Sequence, residues 1–162
     1  MILDEKEIEV RAASAVTFFR SGYNCSQSVF LAYADLFDID RELAARLSSS
    51  FGGGMSRLRE VCGTVTGMFM LAGLRYGQTD PSDTDSKKEN YAQVQSLAGI
   101  FSDKFGSIVC RDLLALGKGK DDAQPSERTE QYYKKRPCIE YIEEAARIIG
   151  HKLIEETIAS DR

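Results

Sequence analysis

The segment that most constrains the fold is an uncharged stretch over residues 61–74. It forms the centre of a helix-length segment, residues 58–76, which Gly77 ends, and it is apolar on nearly all helical faces. A helix of this kind is buried either in a protein core or in a bilayer. Because the stretch is too short to cross a bilayer, the sequence predicts a central helix surrounded by other helices.

Capping residues and apolar periodicity divide the rest of the chain into further helices. Asp4, Asn24 and Asp40 stand where helix N-caps are expected, and each predicts a helix that starts directly after it. Apolar residues at helical spacing predict further helices over residues 87–105, 110–116 and 127–135 and after residue 137. No segment shows the alternation of a strand. Residues 1–162 are therefore expected to form one all-α domain, a bundle of about six or seven helices around the buried central helix.

The composition is that of an ordinary globular chain, with 43% hydrophobic and 28% charged residues. Its formal net charge of −4 is unlike the basic footprint of a nucleic-acid-binding domain, so no nucleic-acid partner is expected. Residues 1–6 become charged at once and lack the basic and apolar regions of a signal peptide. We therefore expect a cytoplasmic protein with reduced thiols and no membrane partner.

Four cysteines are the candidate catalytic residues, and three of them, Cys25, Cys110 and Cys138, lie at predicted helix starts. A helix N-terminus carries a partial positive charge and free N–H groups. Both favour the thiolate over the thiol and lower the pKa of a cysteine at that position. Cys25 follows the best cap signal, Asn24, so we expect Cys25 to be the nucleophile.

The fourth cysteine, Cys62, is predicted to lie one turn inside the central helix. Arg57 and Arg59 are close enough in sequence to stabilise a thiolate there. Gly63 and Gly67 stand four residues apart, and each costs about 1 kcal/mol relative to alanine in a helix interior. The two glycines indicate tight helix packing. A sharper hypothesis is that this packing brings Cys62 to another cysteine.

A glycine-rich loop precedes the central helix and is a candidate ligand site. Gly52, Gly53 and Gly54 are followed by Arg57 and Arg59. Free N–H groups, a helix dipole and two guanidinium groups together can hold an anion. The pattern is not a P-loop, since no Gly-Lys-Ser/Thr follows, nor a dinucleotide fingerprint, since no strand precedes it. These five residues are the candidate ligand-binding residues, with a plain flexible turn as the alternative.

The cysteines and their surroundings resemble the redox-active protein family named C_GCAxxG_C_C, which is marked by four cysteines and a C-G-A-x-x-G motif. Residues 62–67 read C-G-T-V-T-G, with Thr64 in place of the motif alanine. Similar surroundings occur at residues 22–27, 51–55, 105–107 and 136–138. The likeness covers residues 11–153. It implies a helical protein with thiol redox activity.

Three hypotheses for the function follow. The first is a thiol redox protein without a cofactor, which pairs Cys25 with Cys62 and Cys110 with Cys138 and exchanges disulfides with a redox partner protein or a small thiol. The second is a zinc ion or an iron–sulfur cluster held by all four cysteines, although the usual closely spaced ligand pairs are missing. The third is a non-catalytic helical binding module with the cysteines in its core. An apolar face on the first or last helix could also support a homo-oligomer.

Overall fold

The computed structural model of the chain describes residues 3–117 and 119–160, with side chains up to residue 154. Eight right-handed α-helices lie within these residues: α1 Glu5–Arg20, α2 Cys25–Leu31, α3 Arg41–Ser48, α4 Gly63–Tyr76, α5 Thr84–Phe105, α6 Cys110–Leu113, α7 Glu130–Lys135 and α8 Cys138–Ser160. No strand occurs in these residues beyond one isolated bridge between Val61 and Val109. The predicted all-α class is therefore confirmed. Within the same residues, none of the helices combines the length and the apolar character needed to cross a membrane.

Helices α1, α2 and α3 begin at the predicted caps. The side chain of Asp4 accepts a hydrogen bond from the first turn of α1 at 2.7 Å, and Asp40 does the same in α3 at 3.0 Å. Asn24 and Gln27 form a reciprocal capping box, with N–H···O distances of 2.9 and 3.0 Å. These bonds pair N–H groups that a first helical turn leaves unsatisfied. A local signal therefore defines the start of α2 and with it the position of Cys25.

The central helix of the bundle is α4, which packs against α2, α5 and α8. Val65, Met68 and Leu71 of α4 have no exposed surface. Burial of large apolar side chains of this kind contributes about 1.5–3 kcal/mol each. The buried central helix that the sequence predicted is confirmed.

This helix is shorter than predicted, because it begins at Gly63 rather than at residue 58. Residues 53–57 and 59 have φ angles between 53° and 68°. A left-handed backbone costs roughly 1–2 kcal/mol for each residue other than glycine, and a right-handed helix cannot run through it. Cys62 is therefore the N-cap of α4, not a residue one turn inside it. The glycine loop does not open the central helix either. Gly53 and Gly54 belong to a left-handed turn over residues 53–57, and α4 begins only at Gly63.

An extended segment replaces the first predicted turn of the central helix. The N–H of Cys62 donates to the carbonyl of Ile108 at 2.8 Å, and the N–H of Cys110 donates to the carbonyl of Glu60 at 2.7 Å. These bonds pair backbone groups that a helix would have paired internally. Helical periodicity could not reveal this arrangement, because the pairing partner lies far along the chain.

Three other helix boundaries differ from the predicted ones. Helix α5 begins at Thr84 rather than at residue 87, because Asp83 caps it. Helix α6 ends at Leu113 rather than at residue 116. Helix α7 begins at Glu130 rather than at residue 127, because the side chain of Thr129 caps its first turn.

Candidate functional site

All four cysteines line one cavity of about 420 Å³. Cys25, Cys110 and Cys138 are the first residues of α2, α6 and α8, as predicted, and Cys62 caps α4. Cys25 is partly exposed and the other three are buried, and all four are free thiols. The bundle thus brings together cysteines that are widely spaced in the sequence, and four helix N-terminal ends meet at one space.

Two glycines of α4 allow α2 to lie directly against it. A Cβ atom on Gly63 would stand 3.0 Å from the backbone nitrogen of Ser26 and 3.2 Å from Cβ of Cys25. A Cβ atom on Gly67 would stand 2.9 Å from Cβ of Val29. Close-packed interiors leave no room for an added methyl group at such distances. The predicted tight packing is confirmed, and it holds Cys25 beside the end of α4 that carries Cys62.

Cys25 and Cys138 line the same cavity, and each thiol shifts the pKa of the other. Hydrogen bonding to Cys138 is the largest cause that lowers the pKa of Cys25 to about 6. Burial opposes it, while the N–H of Gly53 and the positive charge of Arg128 act in the same direction. The hydrogen bond to Cys25 also raises the pKa of Cys138, together with burial. At neutral pH the pair therefore holds its proton on Cys138 and a thiolate at Cys25.

Cys62 lies in the same cavity as a protonated thiol. Burial, followed by the charge of Cys25, raises the pKa of Cys62 to about 12. Its Sγ is 3.1 Å from Oγ1 of Thr64. The threonine at the motif's alanine position thus supplies a hydroxyl contact to the motif cysteine. The pairing of Cys25 with Cys62, and of Cys110 with Cys138, stays a prediction.

Cys110 is linked to a buried arginine. Arg59 is only 2% exposed, and its Nη1 is 3.5 Å from Sγ of Cys110. Its Nε and Nη2 donate to one carboxylate oxygen of Asp121 at 2.9 and 2.6 Å. Burial raises the pKa of Cys110, and the hydrogen bond and charge of Arg59 act against that rise. Arg59 was predicted to stand near Cys62, but its sulfur contact is with Cys110.

The glycine loop contributes to the cavity in a way that its sequence did not indicate. Gly52 and Gly53 line the cavity, and hydrogen bonding to the backbone of Gly53 helps to lower the pKa of Cys25. Gly54 does not line it; a Cβ atom there would stand 2.6 Å from Cβ of Cys110 and 2.9 Å from backbone atoms of Glu60. Of the five candidate ligand residues, Gly54 is therefore a packing residue. Anion binding by the others stays a prediction.

Sequence reasoning missed several cavity residues that follow α6. Arg128, Tyr132, Arg136 and Tyr141 all line the cavity. The loop that precedes these four residues is anchored to the left-handed turn, because Nε of Arg57 donates to the carbonyl of residue 122 at 2.7 Å. The one available signal was the position of Arg136, two residues before Cys138. Nothing local marked Arg128 or the tyrosines, because they come to the site only through folding.

A metal ion bound by cysteines needs ligand side chains arranged around one point. Among the described side chains, those of residues 3–117 and 119–154, no group of three or more from His, Cys, Asp or Glu is arranged to hold a metal ion. The four cysteines share a cavity, but they do not form a ligand set around one point. The zinc or iron–sulfur alternative is not supported by this geometry and stays a prediction.

Comparison with models of protein families matches residues 23–152 to the family described as putative redox-active protein (C_GCAxxG_C_C). The matched residues include all four cysteines and most of the chain. Searches of curated proteins and of solved structures found no match. The family description supports a general redox role for the protein. The resemblance carried by residues 62–67 is thus confirmed, and the chain belongs to the C_GCAxxG_C_C family.

Proposed function

We propose that this protein is a thiol–disulfide oxidoreductase in which Cys25 attacks the substrate and Cys138 resolves the intermediate. The observation that carries the proposal is that Cys25 and Cys138 line one cavity, where the interaction with Cys138 lowers the pKa of Cys25 to about 6. A thiolate nucleophile beside a second thiol is what a dithiol reaction needs. Among the four cysteines, Cys25 is also the one that is not buried.

The reaction begins when the Cys25 thiolate attacks one sulfur of a substrate disulfide. A mixed disulfide forms between Cys25 and one half of the substrate, and the other half leaves as a thiolate that takes a proton from solvent. The sulfur of Cys138 then attacks Sγ of Cys25, and the second half leaves as a thiolate that takes up the proton given up by Cys138. The substrate gains two electrons and two protons, and Cys25 and Cys138 become a disulfide. An external thiol or dithiol reduces this disulfide again.

Cys62 and Cys110 line the same cavity, and burial raises the pKa of both thiols. They are therefore poor first nucleophiles at neutral pH. We assign Cys62 to a later exchange: its proton passes to Cys138 as its sulfur attacks Sγ of Cys25, the Cys25–Cys138 bond breaks and a Cys25–Cys62 disulfide forms. The pairing of Cys25 with Cys62 enters the proposal at this step.

We assign the activity to the cytoplasm, with a small thiol or a redox protein as the electron donor. Four free thiols fit a reducing compartment, in which structural disulfides do not persist.

The test is an anaerobic redox titration of the purified protein in buffers of reduced and oxidised dithiothreitol, with thiol counting, disulfide mapping and metal analysis on the same sample. We expect two thiols to disappear at one defined potential, with Cys25 and Cys138 as the mapped pair. Cys25→Ser and Cys138→Ser should each abolish this transition. Cys62→Ser is the matched control and should retain it.

Two results would overturn the proposal. Four thiols that stay unreactive across the titration would leave a helical scaffold without dithiol chemistry. Stoichiometric zinc or iron in the metal analysis would replace the redox pair with a cysteine-ligated site.

A further inference from the structure

The cavity carries more positive charge than its surroundings neutralise. Among the described residues that line it, four are arginines and none is a carboxylate. Asp121 compensates two of them, Arg59 at 2.6 Å and Arg57 at 3.4 Å. The other two, Arg128 and Arg136, have no carboxylate within ion-pair distance in the described part of the chain. In a chain whose net charge is −4, two unpaired cations at one cavity are a local feature and not a consequence of composition.

Aromatic rings hold the Arg128 guanidinium in place while leaving it unpaired. Its central carbon lies 4.4 Å from the ring centre of Phe19 and 4.8 Å from that of Tyr132. Its Nη2 donates weakly to the carbonyl of Tyr23 at 3.4 Å. Its Nη1 is buried and has no hydrogen-bond partner. An unpaired buried donor is destabilising, so the guanidinium has hydrogen-bonding capacity left for an anionic acceptor.

Arg136 stands next to the same group of rings. Its guanidinium carbon is 5.1 Å from the ring centre of Tyr132, so both unpaired arginines stand against the ring of Tyr132. The charge of Arg128 acts on Cys25, and the charge of Arg136 acts on Cys138 and Cys110. The two cations therefore share a cavity with the sulfur pair of the proposed reaction, and their charges act on it.

The size of the cavity restricts what can use this charge. A volume of about 420 Å³ is within the range of small-molecule sites. Leu113, Leu114 and Tyr141 supply apolar wall. The resolving sulfur of Cys138 is buried. A small molecule with a short carbon chain and an anionic end fits a cavity of this size and lining, whereas a folded protein reaches only the outer edge of the cavity.

We propose that the substrates of this cavity are small disulfides that carry carboxylate groups, and that Arg128 and Arg136 bind those carboxylates while Cys25 meets the disulfide sulfur. This inference rests on the proposed exchange reaction for its chemistry, but the binding of the anion does not depend on it. The bond changes and electron balance are those given above for a substrate disulfide. Each released half is then an anionic thiol.

The first arm of the test measures binding without any exchange. The probe is 3,3′-thiodipropionate, a dicarboxylate thioether that has no disulfide bond, titrated calorimetrically into the reduced protein under anaerobic conditions. We expect binding of one probe per chain, weakening with added salt and at least tenfold weaker in Arg128→Gln and in Arg136→Gln. Arg46→Gln is the matched control, because this arginine is 78% exposed and forms a surface pair with Glu42. It should bind the probe as the unaltered protein does.

The second arm measures exchange with three small symmetric disulfides: 3,3′-dithiodipropionate, which is anionic, 2-hydroxyethyl disulfide, which is neutral, and cystamine, which is cationic. Each rate with the protein is divided by the rate of the same disulfide with free 2-mercaptoethanol, because the leaving thiols differ in pKa. We expect the normalised rate to fall from the anionic to the neutral to the cationic disulfide, with at least tenfold between the first and the last. This series needs no variant and is therefore independent of any folding defect.

The outcomes separate the two proposals. Absence of probe binding, or equal normalised rates for the three disulfides, overturns the anionic substrate class even if Cys25 and Cys138 exchange efficiently. Probe binding that Arg128→Gln weakens, together with no disulfide formation at Cys25, supports the anion site and overturns the exchange reaction. Binding that all three arginine variants weaken equally contradicts the assignment to Arg128 and Arg136.

Discussion

A Cβ atom on Gly63 would stand 3.2 Å from Cβ of Cys25. This relationship joins the second residue of the family motif to the candidate nucleophile. The distance is short because the backbone of α2 lies directly against α4, and the nitrogen of Ser26 would be 3.0 Å from the same Cβ atom. The carbonyl oxygen of Phe51, outside both helices, would also be 3.0 Å from it. The glycine of the motif thus positions Cys25, which lies far from it in the sequence.

Gly63→Ala is expected to lower the free energy of unfolding by about 1–3 kcal/mol, because rigid backbone and not flexible side chains surrounds the site. Gly73→Ala is the control in the same helix, since nothing lies within 4 Å of its missing Cβ atom. It should raise stability by about 0.5–1 kcal/mol through its helix propensity. Urea denaturation of the two variants measures both effects. Equal stability changes would contradict the close approach of α2 and α4.

The reactivity of Cys25 is expected to follow its pKa of about 6. A lowered pKa means that the thiolate is present above pH 6 and is lost as the pH falls through that value. The rate of iodoacetamide modification of Cys25, followed by mass spectrometry between pH 4 and 10, should therefore rise with a midpoint near 6. Cys138→Ala should move the midpoint upward, because it removes the hydrogen bond that contributes most to the shift.

The matched control for this profile is Cys62→Ala. Cys62 lies in the same cavity but keeps its proton at neutral pH, since its pKa is raised to about 12, and the hydrogen bond to Cys25 comes from Cys138. Its removal should leave the midpoint near 6. A midpoint near that of an ordinary cysteine in the unaltered protein would rule out the Cys25 thiolate at neutral pH.

Arg59→Gln is expected to lower the melting temperature by on the order of 5 °C, because it removes charge-assisted hydrogen bonds from a buried position. Those bonds join the left-handed turn to Asp121 in the loop after α6. The same variant should make Cys110 less reactive toward iodoacetamide, since Arg59 is what opposes the burial-driven rise of the Cys110 pKa. Arg46→Gln, in an exposed ion pair, should change the melting temperature little.

Gly54→Ala is expected to destabilise the protein by about 2–4 kcal/mol, since it adds left-handed strain and overpacks the site. Its φ angle is +64°, and its Cβ atom would collide with Cβ of Cys110 and the backbone of Glu60. Gly106→Ala separates the two causes, because Gly106 has a φ of +87° but open space around it. That variant should lose only about 1 kcal/mol. Similar losses in both, measured by urea denaturation, would count against the packing of Gly54 on Cys110.

Part of the candidate site could be predicted from the sequence because its signals are local. Asn24 and Gln27 cap α2 through bonds within a single turn, so the sequence predicted Cys25 at a helix start. Gly63 and Gly67 indicated close packing because glycine is unfavourable in a helix interior unless another backbone must come close. The start of α4 was predicted wrongly for the opposite reason. Helical spacing continued through residues 58–62, while the backbone there pairs with the segment before Cys110.

The sequence by itself determined the all-α class, the caps, the placement of three cysteines at helix starts and the membership of the family. Each of these depends on residue types a few positions apart, which act before any distant segments meet. Only the tertiary structure decided that Cys25 and Cys138 line one cavity, that Arg59 contacts Cys110, and that Arg128 and Arg136 line the same cavity. Those contacts join segments far apart in the chain, and the packing of α2, α4 and α8 around one core brings them together.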